Sequence, residues 1–290
     1  MPNTPQQHSN ADTTQIELGL DALEISNTAG RKIGERVFKA LSPLVALTVV
    51  LAIWQSAIWL TNIPNYVLPS PGEVLSSLPS QWSSGALQSA VIRSFSRGFE
   101  GFILAICIAT PIGVVLGLNR TLRNIFGPIL LGLQQLPSVA WVPAAIIWFG
   151  LSPATIFAVI LLGATPSIAN GLISGIDQIP PIYLKLAKVL RANRIQKVRF
   201  IVLPAAWPGY LAGLEQGWAF AWRSLMAAEL IAVSPALGLG VGQLLDVGRQ
   251  LGDMSLVIGA IFIIMFIGVF VEKVLFAPIR LRTLRGRGFA

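Results

Sequence analysis

Cysteine and histidine are almost absent: Cys107 and His8 are the only ones in 290 residues. One thiol forms no intrachain disulfide, and one imidazole supplies neither a Cys/His metal site nor a histidine-based triad. Charge is scarce as well. Only 12% of the residues are Asp, Glu, Lys or Arg, where a soluble domain carries about 25%. No GxxxxGK[ST] phosphate loop occurs, which excludes ATP hydrolysis by that route, and HExxH and GxSxG are missing too. Residues 1–30 hold no Lys or Arg, only the acids Asp12, Glu17, Asp21 and Glu24. Without a positive n-region or an apolar h-region they do not read as a cleavable signal. They read as a disordered polar tail, ahead of a single membrane domain over 31–290.

What is present is apolar. Hydrophobic residues make up 54% of the chain, and they fall in runs of about twenty, enough to cross ~30 Å of hydrocarbon. The expected architecture is an all-α membrane protein with six spans. They start near residues 40, 98, 125, 154, 209 and 255 and end near 60, 118, 149, 176, 232 and 276. With both termini inside, 17 of the 21 Lys and Arg residues lie on the inner side. Three (Arg93, Arg97 and Arg249) lie outside, and Arg223 lies within the fifth span. That asymmetry sets the orientation by the positive-inside rule. It also accounts for the net charge of +8 through anionic lipid, so nucleic acid is not an expected partner.

Polar groups within the spans are few, which suits a solute path better than an active site. The path candidates are Gln134 and Gln135 in the third span, Thr165 and Asn170 in the fourth, and Arg223 and Glu229 in the fifth. Arg223 is the sharpest, because a charge near mid-membrane costs at least ~2.5 kcal/mol and needs water or a partner. Glu229 is six residues away and Glu215 eight, so neither is an i,i+4 partner. Two readings stay open: a cation that attracts an anion, or one paired with a carboxylate of another helix or subunit. Pro111, Pro137, Pro143 and Pro166 fall in or near spans, and Gly113 and Gly117 form a GxxxG pair. Both features occur in ordinary membrane packing and in bundles that open and close.

Residues 178–208 form a basic amphipathic stretch between two apolar segments. Its cations are Lys185, Lys188, Arg191, Arg194, Lys197 and Arg199, with no acid among them, and it closes on Leu203-Pro204. Residues 182–200 are expected to make a stiff helix with Leu186, Val189 and Leu190 on its apolar stripe.

With LPSP at 68–71, SFSRGFEG at 94–101, LQQLPSVAWVPAAIIWFG at 133–150, VLPAAWP at 202–208 and GWAFAWRSLMAAELI at 217–231, the chain resembles the permease subunit of type I ATP-binding-cassette importers. It is most similar to their aliphatic sulfonate, taurine and nitrate branch, over roughly residues 40–290. The resemblance implies a cytoplasmic coupling helix between the fourth and fifth spans that seats in a groove of the ATPase. In that family the loop reads Glu-Ala-Ala, then Gly, then Leu-Pro. Matched from Leu203 and Pro204, Lys185 stands at the Glu position, Ala187 at the last Ala and Arg191 at the Gly position, with Lys188 beside them. Two signature residues are thus replaced by cations, which predicts an acidic groove on the partner.

The resemblance further implies no cofactor on this chain, with ATP and Mg held by two separate ATPase subunits. It implies a second permease copy, a periplasmic or lipid-anchored solute-binding protein, and a place in the bacterial plasma membrane. The expected cargo is a small anion, an aliphatic sulfonate or taurine. Nitrate, bicarbonate and a thiamine precursor are the alternatives. An ion-coupled secondary transporter would need an inverted repeat, which is not apparent. A membrane enzyme would need a catalytic cluster the composition does not offer.

Overall fold

The computed structural model describes residue 41, residues 45–61 and residues 63–285. The tail expected over 1–30 lies outside the described residues. Every regular element among the described residues is helical. Helix α1, Val45–Thr61, stands as a unit of its own and is a short apolar helix.

The second unit begins with α2, Pro71–Ser83, whose start is written in its sequence. The Ser70 hydroxyl accepts the Glu73 amide N–H, the Glu73 carboxylate accepts the Ser70 N–H, and Pro71 presets the first turn. Helix α3, Ala86–Leu118, follows Gly85, which adopts φ 77°. Its buried face carries Gly98, Gly101, Phe102, Ala105, Ala109 and Gly113 at helical spacing. Asn119 ends α3 and caps α4, Arg120–Gln135, by accepting the N–H groups of Thr121 and Leu122.

The third expected span is not one helix. After α4 the chain breaks at Leu136-Pro137, makes a 3-10 turn over Ser138–Trp141 and resumes as α5, Val142–Phe149, with a bend of 101°. Pro137 has no N–H to continue the ladder, which supplies the physical cause.

Helix α6, Pro153–Asp177, is the centre of the core, with Ile156, Ile160, Ile168 and Leu172 fully buried. It packs against α9, Leu203–Ile231, backbone to backbone. A Cβ on Gly209 would lie 2.5 Å from the Gly175 Cα, and one on Gly171 would collide with the Gly213 Cα. Only glycine permits that approach.

Between α6 and α9 lie α7 (Pro181–Val189), α8 (Arg194–Lys197) and a π-helical turn at Val198–Val202. The continuous stiff helix expected over 182–200 is therefore interrupted at residues 190–193. Beyond α9, a 3-10 turn at Pro235–Leu237 leads to α10, Val241–Leu251. Helix α11, Met254–Val271, then runs through a second π-helical turn into α12, Ala277–Arg285.

Among the described residues three helices are long and apolar enough to cross a membrane: Ala86–Leu118, Pro153–Asp177 and the continuous stretch Met254–Thr283. The bent α4–α5 pair brings the number to four. Helix α9 has the length, but Glu215, Arg223 and Glu229 interrupt its apolar character. Two expected boundaries move. Helix α3 starts at residue 86 rather than 98, so Arg93 and Arg97 stand on the spanning helix itself and not ahead of it. Helix α9 starts at 203 rather than 209, which carries Arg223 about 30 Å from Leu203, well past its middle.

Candidate coupling surface and transport path

At one end of the second unit, α7 and α8 form a basic and apolar knob. Helix α7 stops in a Schellman arrangement: the Leu190 N–H reaches the Leu186 carbonyl at 2.9 Å and the Ala192 N–H reaches the Ala187 carbonyl at 3.0 Å. This closure places Arg191 at φ 49°, the left-handed position that favours glycine. The next two turns are capped reciprocally, with the Gln196 N–H on the Asn193 side chain and the Asn193 N–H on the Gln196 side chain.

Ala187 is buried and holds α7 to the body, while Val189 (78%) and Ile195 (77%) are largely exposed. Ile182, Leu190 and Phe200 are exposed too, as are the cations Lys185, Arg191, Arg194 and Arg199. Lys188 lies in α7, and its side chain lies outside the described residues. Leu203 and Pro204 open α9. Pro204 joins Tyr183, Leu186, Phe200 and Ile201 in lining a cavity of about 700 Å³ beneath the knob. Arg123 pins the neighbouring end of α4 to Asp177 of α6 through two 2.6 Å bonds.

The span candidates separate into three groups. Gln134 and Asn170 meet: the Asn170 amide donates to the Gln134 Oε1 at 2.9 Å and ties α4 to α6 near the break. Gln135 is exposed, and the buried Thr165 hydroxyl has no hydrogen-bond partner among the described residues.

Glu229 is fully buried and belongs to a closed network. It accepts from the Ser94 hydroxyl at 2.6 Å, from Arg97 at 3.2 Å and from the Gly242 N–H at 3.1 Å. The Ser94 oxygen in turn accepts the Val241 N–H at 2.8 Å, and Arg93 and Arg97 both donate to the Leu237 carbonyl. Side chains of α3 and α9 thus cap the start of α10. A Cβ at Gly240 would run into the Glu229 carboxylate. Expected as a path-lining group, Glu229 is instead walled in among helices.

Arg223 is the opposite case. It is exposed, its Nε donates to the Ala219 carbonyl at 3.1 Å, and its guanidinium lies 4.6 Å from the centre of the Phe220 ring. No carboxylate among the described residues stands within ion-pair reach of it. Glu215 is engaged elsewhere, by Arg280 of α12 at 3.1 Å.

The sequence left two groups unassigned. The Ser94–Arg97 pair was read as part of an outer connection, although its SxxR spacing on a helix face was visible. Gln216, on the exposed side of α9, gave no signal beyond its seven-residue distance from Arg223.

The family model described as "Binding-protein-dependent transport system inner membrane component" matches residues 109–275. The chain belongs to this family. It is a membrane permease of the ABC-importer type and not an enzyme; the ATPase of such transporters is a separate subunit.

The permease is 33% identical over 235 residues to a putative ABC transporter permease of Methanocaldococcus jannaschii, covering 79% of this chain and 85% of that one. It is 31% identical over 200 residues to the taurine transport system permease of Escherichia coli, covering 67% and 73%. A bicarbonate transport system permease of Synechococcus elongatus is 34% identical over 150 residues, covering 51% and 53%. The fold resembles a chain of the MetNI methionine ABC transporter in an inward-facing form, with a TM-score of 0.51 and 20% identity. That match covers 68% of this chain and 97% of the other.

Proposed function

We propose that the permease forms the membrane path of an ATP-driven importer for a small anion, an aliphatic sulfonate or taurine, handed over by a solute-binding protein. The observation that carries this reading is Arg223. Its guanidinium is set by a backbone carbonyl and a ring, meets no carboxylate among the described residues, and occupies the exposed side of a helix otherwise packed on glycines. A cation so placed needs water or an anion to offset its desolvation. The taurine-system relative supports an organic sulfonate. The bicarbonate-system relative favours a compact one-ended anion as the second reading. Reconstitution in proteoliposomes with the ATPase and binding protein tests it. Labelled taurine enters with ATP, fails to enter with a catalytically dead ATPase, and enters at least ten-fold more slowly with Arg223→Gln. Equal entry without ATP turnover rejects an importer.

On this reading six spans cross the plasma membrane with both termini in the cytoplasm, and two permeases sit above two ATPases that hold ATP and Mg. The α7–α8 knob is the coupling element, using Lys185, Ala187, Lys188, Arg191, Leu203 and Pro204. Because Lys185 and Arg191 are cationic, the groove that receives it carries carboxylates. Neutralising those carboxylates weakens assembly of the purified subunits, whereas equal binding to acidic and neutral grooves rejects the acidic-groove part.

A further inference from the structure

Along α9 one side is left bare by the rest of the chain. Ala212, Gln216, Ala219 and Arg223 are all exposed and recur at intervals of four, three and four, so they form one stripe down the helix. The adjoining flank, with Gly209, Gly213 and Gly217, is packed against α6. Two polar side chains in an apolar stripe do not face lipid without a large cost, so the stripe borders the polar seam of the transporter.

Arg223 and Gln216 have different chemistry. The Arg223 Nε is committed to the Ala219 carbonyl, which folds the side chain back toward Gln216. Its two terminal nitrogens remain free as a fork that fits two oxygens of an oxyanion. Gln216, exposed on the same stripe, carries an amide with a carbonyl acceptor and two N–H donors. The helix rise separates the two positions by about 10 Å. Both side chains lean toward the start of the helix, and the Arg223 head is drawn back along it by the Ala219 carbonyl, so about 10 Å is the upper bound on the spacing of their tips. Ala219, between them, fills little of the gap. Two hydrogen bonds of about 3 Å each leave at most roughly 4 Å, room for a chain of no more than two carbons between its end groups.

We infer that Arg223 and Gln216 form a two-ended site, with Arg223 on the anionic head and the Gln216 amide on a second polar group no more than two carbons away. The inference rests on the anion-importer reading above. It narrows the cargo class to short chains with a polar group at each end, such as amino-sulfonates, against one-ended anions.

Uptake by the full reconstituted transporter tests this with taurine, 3-aminopropanesulfonate, ethanesulfonate and nitrate as probes. Each variant is compared with the unaltered permease for each probe, so the binding protein's own preference cancels. With Gln216→Ala, taurine uptake falls about ten-fold while ethanesulfonate uptake is unchanged. With Gln216→Asn, whose amide is drawn back by one carbon, 3-aminopropanesulfonate gains on taurine. With Arg223→Gln, uptake of every anion falls. Size-exclusion profiles and ATPase assembly of the Gln216 variants stay as in the unaltered protein, since the side chain is exposed. If Gln216→Ala changes taurine and ethanesulfonate equally, or neither, the two-ended site is overturned while the importer reading stands. If the unaltered transporter moves no anion with ATP, both are overturned.

Discussion

Arg191 carries a cost that its residue type does not offset. A non-glycine side chain in the left-handed region loses roughly 1–2 kcal/mol to contact between Cβ and the backbone, and Arg191 is the only such residue among those described. Arg191→Gly is expected to stabilise the permease by about 1 kcal/mol, seen as a Tm rise of a few degrees in detergent. If the variant also binds the ATPase less well, the cation is kept for docking. Glu229 shows the reverse economy: its carboxylate is walled in but holds three donors. Glu229→Ala leaves Arg97 without its charge partner and Gly242 without its cap, at a cost of about 3–5 kcal/mol. In a thermal-melt cycle, the Arg97→Ala, Glu229→Ala double variant should lose less than the sum of the two singles.

At the scale of elements, the glycine contact between α6 and α9 is the tightest seam described. Gly213→Leu must drive the two helices apart and is expected to abolish monodisperse protein on size exclusion. Gly132→Leu, where a Cβ meets nothing within 4 Å, should behave as the unaltered chain.

Helical periodicity and apolar runs made the α3, α6 and α11 spans legible, together with the place of the basic connector. The start of α3 was misplaced because Arg93 and Arg97 were set outside the second span. What neutralises Arg97 is a carboxylate 132 residues away, which no local pattern reveals. Pro137 marked a weak point, but not a 101° bend. The GxxxG pair at Gly113 and Gly117 stood out, yet those glycines meet Leu172 and Ile176. The closer pairing of Gly171 and Gly175 with Gly213 and Gly209 looks like common membrane composition until two helices are laid together. Arg223 was legible as a costly charge without an i,i+4 partner, with pairing to another helix left open. The break at Arg191 was hidden by the residue type, although its match to the family's Gly position pointed to the left-handed backbone it adopts.

At the scale of the molecule's surface, Lys185, Arg191, Arg194 and Arg199 are gathered, exposed, on the basic knob. Docking through such a surface is screened by salt, since the Debye length shrinks from about 10 Å at 0.1 M to about 3 Å at 1 M. Affinity for the ATPase, measured by calorimetry, should fall by roughly ten-fold across that range. Constant or rising affinity would mean that Val189, Ile195 and Phe200 carry the docking alone. The bare touching of α6 and α9 also limits how the permease can work. Two rods joined main chain to main chain have no slack between them: sliding by one residue would drive a methyl or larger group into a carbonyl. They travel as one plank, so any parting of helices in this unit must run along the plank's edges and never down its middle.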